Sequence, residues 1–158
     1  MDLPANTERV SARTSTKINQ RIAEEAAARV AWHAEHPDAI PRRLAQLDRE
    51  WDIERTLEAN AASLSLLGIG LGATVHRRFF VVPAVVTAFL PQHALQGWCP
   101  PLPIFRRLGV RTQGEIESER HALKALRGDY ARLPAEGTRS AAVGRAAFEA
   151  ARAREAAR

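Results

Sequence analysis

Between Ala59 and Phe105 the chain has no Lys, Asp or Glu, and its only charged residues there are Arg77 and Arg78. A helix on the surface of a soluble domain keeps a charged, wetted face; neither half of this stretch has one. Elsewhere charge is dense. Residues 1–58 carry 9 Lys+Arg and 11 Asp+Glu, and residues 106–158 carry 12 and 7. The Arg pair and His76 split the stretch into two apolar arms. The first, Ala59–Val75, contains Leu67-Gly68-Ile69-Gly70-Leu71-Gly72-Ala73. The second runs from Phe79 through Val81, Val82, Pro83, Val85, Val86, Phe89 and Leu90 to Gly97.

A helix that crosses a bilayer needs about 20 residues, with a range of roughly 17–25, and both arms lie at the short end. Each Leu, Ile, Phe or Val contributes about −0.3 to −0.6 kcal/mol at the centre of an inserted helix. The first arm therefore gathers roughly −2 to −3.5 kcal/mol and the second about −3 to −5. Three glycines, two serines and Thr74 erode the first value, and Pro83 and Pro91 the second. Neither arm is a strong span alone, so the pattern predicts a pair: a two-helix transmembrane hairpin over 59–105 with its turn at 76–78. Ala61, Ser65, Gly68 and Gly72 fall on one helical face, and Ala84 and Ala88 give the second arm a similar one. Small residues at such spacing let two helix backbones approach closely in lipid. The competing reading is a soluble helical interaction module with a very apolar central hairpin.

The flanks read as helical, which makes the expected fold all-α. Residues 1–13 are polar and aperiodic, a flexible tail. Residues 14–58 hold amphipathic helices: one capped by Thr14 or Ser15 and stopped by Pro37, with Ile18, Ile22, Ala26 and Val30 on one stripe and His33 a candidate to extend it. A second starts near Asp38–Pro41, carries Ile40, Leu44, Leu47 and Trp51, and meets no Gly or Pro before the apolar arm. One unbroken helix is therefore expected there, or else an amphipathic portion lying along the interface with Trp51 at headgroup depth. Arg21 with Glu25, and Glu25 with Arg29, are spaced as i,i+4 pairs, and His33 with His36 reads as a surface pair. In the segment 106–133, Thr112-Gln113-Gly114-Glu115 fits a capping box opening a helix to about Arg127, with Gly128 just past its end. Ile116, Leu123 and Leu126 mark its apolar side. Residues 134–158 are an Ala/Arg-rich tail with little to bury.

The net charge of +5 suits an anionic surface. No aromatic residues interleave with the basic run to stack on bases, so lipid headgroups are the expected partner and nucleic acid is not. Arg106, Arg107 and Arg111, with Trp51 and Trp98, are the candidate headgroup contacts. The turn puts both ends of the hairpin on one side, and Lys/Arg is denser at those ends than at Arg77 and Arg78. The positive-inside bias then places both termini in the cytoplasm. The first residues have neither a basic nor an apolar region, so no cleavable signal peptide is expected.

The second arm ends in Gly97-Trp98-Cys99-Pro100, followed by Leu108-Gly109-Val110-Arg111-Thr112, and Asp52-Ile53-Glu54-Arg55 precedes the first arm. With the glycine-rich first arm, these residues make 52–112 resemble the YgaP-like inner-membrane transmembrane domain family. The resemblance implies a bacterial inner-membrane two-helix module of poorly defined function. Some members of that family carry a rhodanese domain handling sulfane sulfur. This chain departs from them: it has no rhodanese domain, further helices at both ends, and Pro101 and Pro103 lengthening the segment after Cys99.

Chemistry has few candidates. The single cysteine, Cys99, excludes an intrachain disulfide and a multi-cysteine metal site. It is a candidate sulfur carrier or thiol beside Arg106 and Arg107, whose charge would lower its pKa, or else a small residue packed at a helix end. No second cysteine or evident base accompanies it. His93 and Gln92 read as polar positions near Pro91, and Glu54 and Glu58 as a solvated boundary. No cofactor or metal site is expected; Gly68-x-Gly70-x-x-Ala73 satisfies a dinucleotide pattern in letters but lacks the strand it requires. The reading is a non-enzymatic inner-membrane anchor and helix-packing module that self-associates or docks into a membrane complex. The alternative is a thiol-handling accessory using Cys99.

Overall fold

The computed structural model describes residues 8–131 and 143–145, and every regular element among them is helical. Within residues 8–131 seven α-helices follow in order: α1 (Arg9–Ala12), α2 (Thr16–Glu35), α3 (Ile40–Leu47), α4 (Ile53–Thr74), α5 (Val81–Gln96), α6 (Leu102–Arg107) and α7 (Gln113–Leu126). Short 3-10 turns at Pro37–Ala39 and Arg77–Phe80 lead into α3 and α5. The chain divides into two compact units after Leu123. Of the second, the described part holds the end of α7, the left-handed Gly128 and an ion pair of Arg127 with Asp129 at 2.7 Å. Most of the Ala/Arg-rich tail lies outside the described residues.

Local signals place most boundaries. Ser15 stands at the cap of α2, and Pro37 follows its end. The capping box forms as spaced: the Glu115 amide donates to Thr112 Oγ1 at 3.2 Å, and the Thr112 amide to Glu115 Oε2 at 2.8 Å. Pro83 sits in the first turn of α5, where a missing N–H costs nothing. Gly97 closes α5 with φ +70°, its amide donating to the His93 carbonyl at 2.8 Å.

Two expectations at the N-terminal side give way. The loose tail to residue 13 does not extend that far, because α1 begins at Arg9 and buries Val10. Nor does one helix run from α3 through the first arm. The chain breaks between Leu47 and Ile53, and Asp52 caps α4 with its side chain accepting from the Arg55 amide at 2.8 Å. The Ile53 amide, left free by the break, donates to the Arg111 carbonyl at 2.8 Å. Tertiary contacts thus override the uninterrupted helix propensity of 48–58.

In the hairpin, Gly68 and Gly72 are the close-packing positions of α4. A Cβ at Gly68 would lie 2.7 Å from Pro83 Cδ and 2.9 Å from Val82 Cβ; one at Gly72 would lie 2.9 Å from the Phe80 ring. Gly70 faces open space. The second arm meets them with a different face from the one expected. Ala84 and Ala88 are exposed, while Val82, Pro83, Val86 and Phe89 are turned partly inward. Large side chains fill the spaces that glycine leaves, which buries more area than small against small. Thr74 and Thr87 hydrogen-bond back to their own helix, at the carbonyls of Gly70 and Pro83.

Among the described residues one helix is long and apolar enough to cross a membrane, Arg77–Gln96 with 20 residues, and only 6% of its apolar 18-residue window is buried. The core lies elsewhere. Val10, Ile53, Leu57, Cys99 and Leu102 cluster at the foot of the hairpin, with Trp98, Phe105 and Val110 against them. Ile40, Leu44, Leu47, Ile116 and Leu123 form a second cluster, joined by Val30.

Candidate functional site

At the foot of the hairpin, residues of α4, α5 and α1 and the segment Cys99–Pro101 line a hollow of about 610 Å³. Gly97 makes this arrangement possible. A Cβ there would fall 2.5 Å from the Arg9 carbonyl oxygen, so only glycine lets α1 seat against the end of α5. Pro91, inside α5, also lines the hollow. It has no N–H to give the carbonyl one turn earlier.

The walls are mostly hydrocarbon, but one end is polar. Glu54 is engaged at both oxygens: Arg9 Nη2 donates to Oε1 at 3.2 Å, and His93 Nε2 lies 2.8 Å from Oε2. Arg9 Nη1 also donates to the Ala94 carbonyl at 2.7 Å. In the neutral imidazole tautomer that donates from Nε2 to Glu54, Nδ1 is an acceptor. His93 Nδ1 and Arg9 Nε are shielded from solvent and have no hydrogen-bond partner among the described residues. His93 is 7% exposed, so it is not the interfacial polar position expected.

Cys99 lines the same hollow and is buried. Burial pushes its thiol up, against a hydrogen bond from the Leu102 amide, and the Glu54 charge raises it further. The expected lowering by Arg106 and Arg107 is absent because Arg106 is committed elsewhere. Since Nδ1 of His93 is unpartnered, Cys99 and His93 do not form a hydrogen-bonded nucleophile and base.

The arginines expected at lipid headgroups need correcting too. Arg106 is fully buried, its guanidinium forked onto Glu115 with two bonds of 2.7 Å, and it also reaches Asn19 at 2.9 Å and the Val110 carbonyl at 2.9 Å. Arg111, 4% exposed, forks onto Glu50 with bonds of 2.7 Å and donates to Glu119. Glu119 further accepts from Arg43 Nε at 2.7 Å and Arg29 Nη2 at 3.1 Å. Burial opposes ionisation of Glu119, but the bonds from Arg43, Arg29 and Arg111 outweigh it and hold its pKa at about 2. Burial also opposes ionisation of Glu115, and Arg106 outweighs it in the same direction. These arginines are interior ion pairs joining α2, α3, α6 and α7 to one another and to the α3–α4 break.

Of the other expected headgroup contacts, Arg107 and Trp51 are exposed, with the Arg55 guanidinium 4.4 Å over the Trp51 ring. Trp98 packs at the foot, edge-on to Phe89 at 6.5 Å. Arg21 pairs with Glu25 at 3.7 Å, but Arg29 turns to Glu119. His33 is buried and bonded to the Arg29 carbonyl, so only His36, stacked on Trp32, stays at the surface. No group of three or more metal-ligating side chains forms among the described residues.

Sequence reasoning missed Glu54, His93 and Arg9 as a unit. The signal was weak: a carboxylate at the start of one apolar helix and a histidine near the end of the next. Comparison with protein-family models, curated proteins and solved structures finds no match.

Proposed function

We propose that this chain is a non-enzymatic membrane protein of the bacterial inner membrane, inserted by the α4–α5 hairpin and carrying a cytoplasmic helical head. The observation that supports it is the bare apolar surface of the hairpin. Leu66, Leu67, Val75, Val81 and Leu95 are 73, 59, 67, 61 and 63% exposed. Large exposed apolar side chains in such number, when they form one patch, mark contact with a membrane or a partner. The resemblance of 52–112 to the YgaP-like domains points the same way, and Lys/Arg density at the foot favours both termini in the cytoplasm.

Gly68 and Gly72 are spent on closing the hairpin, so docking of a second copy or a larger membrane complex falls to the outward face around Leu66, Ile69 and Gly70. The thiol reading is less well supported, because Cys99 is buried with its pKa raised. Alkaline carbonate extraction of expressing cells tests the anchor: the protein stays in the membrane pellet if the proposal holds, and its release to the supernatant overturns it.

A further inference from the structure

The hollow at the foot is too large to be a packing defect. Protein interiors hold few voids larger than a water molecule, and about 610 Å³ falls within the roughly 300–1,000 Å³ of small-molecule sites. Its walls decide what can fill it. A buried water needs about two to four polar partners, whereas an apolar chamber stays dry and takes apolar guests. The side chains of Leu57, Ala61, Val86 and Phe89 line the hollow and offer water nothing. At the charged end Glu54 is engaged by Arg9 and His93, and Arg9 also holds the Ala94 carbonyl. Hydrocarbon is the guest these walls suit.

The opening decides where that hydrocarbon comes from. Leu64, Val85 and Leu90 line the hollow and are also exposed. The chamber is thus continuous with the apolar surface of the hairpin. We propose that it holds one acyl chain of a bilayer phospholipid, inserted sideways between α4 and α5 with the head group left outside. This rests on the membrane reading above. Because hydrocarbon alone makes the contact, the site takes zwitterionic and anionic phospholipids alike.

The test is photolabelling of the full chain in nanodiscs of phosphatidylcholine or of phosphatidylglycerol, each doped with the same lipid carrying a diazirine midway along one chain. Peptide mapping should find label concentrated on Leu57, Ala61 and Phe89, which line the hollow, over Leu66 and Leu67, which are exposed outside it. The yield should be the same with both head groups. Ala61→Phe and Val86→Phe fill the chamber from α4 and from α5, and each should cut that label about tenfold, the loss of roughly two buried methylenes. Either variant carries the test should the other unfold. Label spread evenly over all five positions, label confined to one head group, or label unchanged in the folded variants overturns the proposal. Label on Leu66 and Leu67 with none in the hollow removes this site and keeps the anchor. A chain that carbonate releases and that takes no label at either place removes both.

Discussion

The hairpin and its foot obey different rules within one short chain. Within the hairpin the packing is backbone against side chain: Gly68 and Gly72 receive Val82, Pro83 and Phe80, and the threonines bond to their own helix. At the foot, interior arginines fork onto carboxylates of other elements, Arg111 onto Glu50, 61 residues away in sequence, and Arg106 onto Glu115, 9 away. Such pairs overcome a large desolvation cost only through dense hydrogen bonding. The hairpin has no such network and leaves its large apolar side chains outside. That contrast is what the proposed membrane anchor accounts for: on that reading water surrounds the foot and hydrocarbon the hairpin.

The largest effect should come from emptying the centre of the ionic network. Glu119→Ala leaves Arg29, Arg43 and Arg111 without their shared carboxylate, and removing one side of a buried pair costs about 3–5 kcal/mol. Denaturant titration followed by Trp fluorescence in detergent should show the foot destabilised by that amount while the hairpin stays in the membrane fraction.

Acid should reach the same network more gradually. The Glu119 carboxyl is ordinary in the unfolded chain, at 4.5, and about 2 when folded. A depressed folded pKa gives stability that is complete above 4.5 and is lost as pH falls toward 2. That amounts to about 3 kcal/mol, and Glu115 adds in the same direction. A denaturation midpoint that did not move between pH 6 and pH 3 would break the comparison.

The hairpin should answer to volume instead. Gly68→Ala puts a methyl group against Pro83 and Val82, and overpacking costs about 1–3 kcal/mol. Gly70→Ala meets nothing within 4 Å and should stabilise α4 by about 0.5–1 kcal/mol. Thermal unfolding of the two variants in detergent separates them by sign. If both substitutions proved neutral, the close approach of α4 and α5 would be in doubt.

How much of this was legible in the sequence follows from the range of each interaction. Ser15, Pro37, the Thr112–Glu115 box, Gly128 and the two arms are local signals, and they were readable. The break before Ile53 was not, because it depends on Arg111, 58 residues further on, rather than on a Gly or Pro in the break. The inward face of α5 was misassigned for a related reason. Small-residue spacing shows where a helix can be approached, and only tertiary structure shows that Val82 and Pro83, rather than Ala84 and Ala88, make the approach. The basic cluster was misread as a surface because its carboxylate partners, Glu50, Glu115 and Glu119, lie in other elements.

The central claim is that the outer face of the hairpin meets hydrocarbon. Nitroxide labels at Leu66→Cys and Val85→Cys, in a Cys99→Ser background in lipid vesicles, test it most directly through collisions with molecular oxygen and with a water-soluble nickel chelate. Oxygen should dominate at both positions, with Arg107→Cys at the foot showing the reverse. Nickel chelate reaching positions 66 and 85 as freely as position 107 would contradict the account.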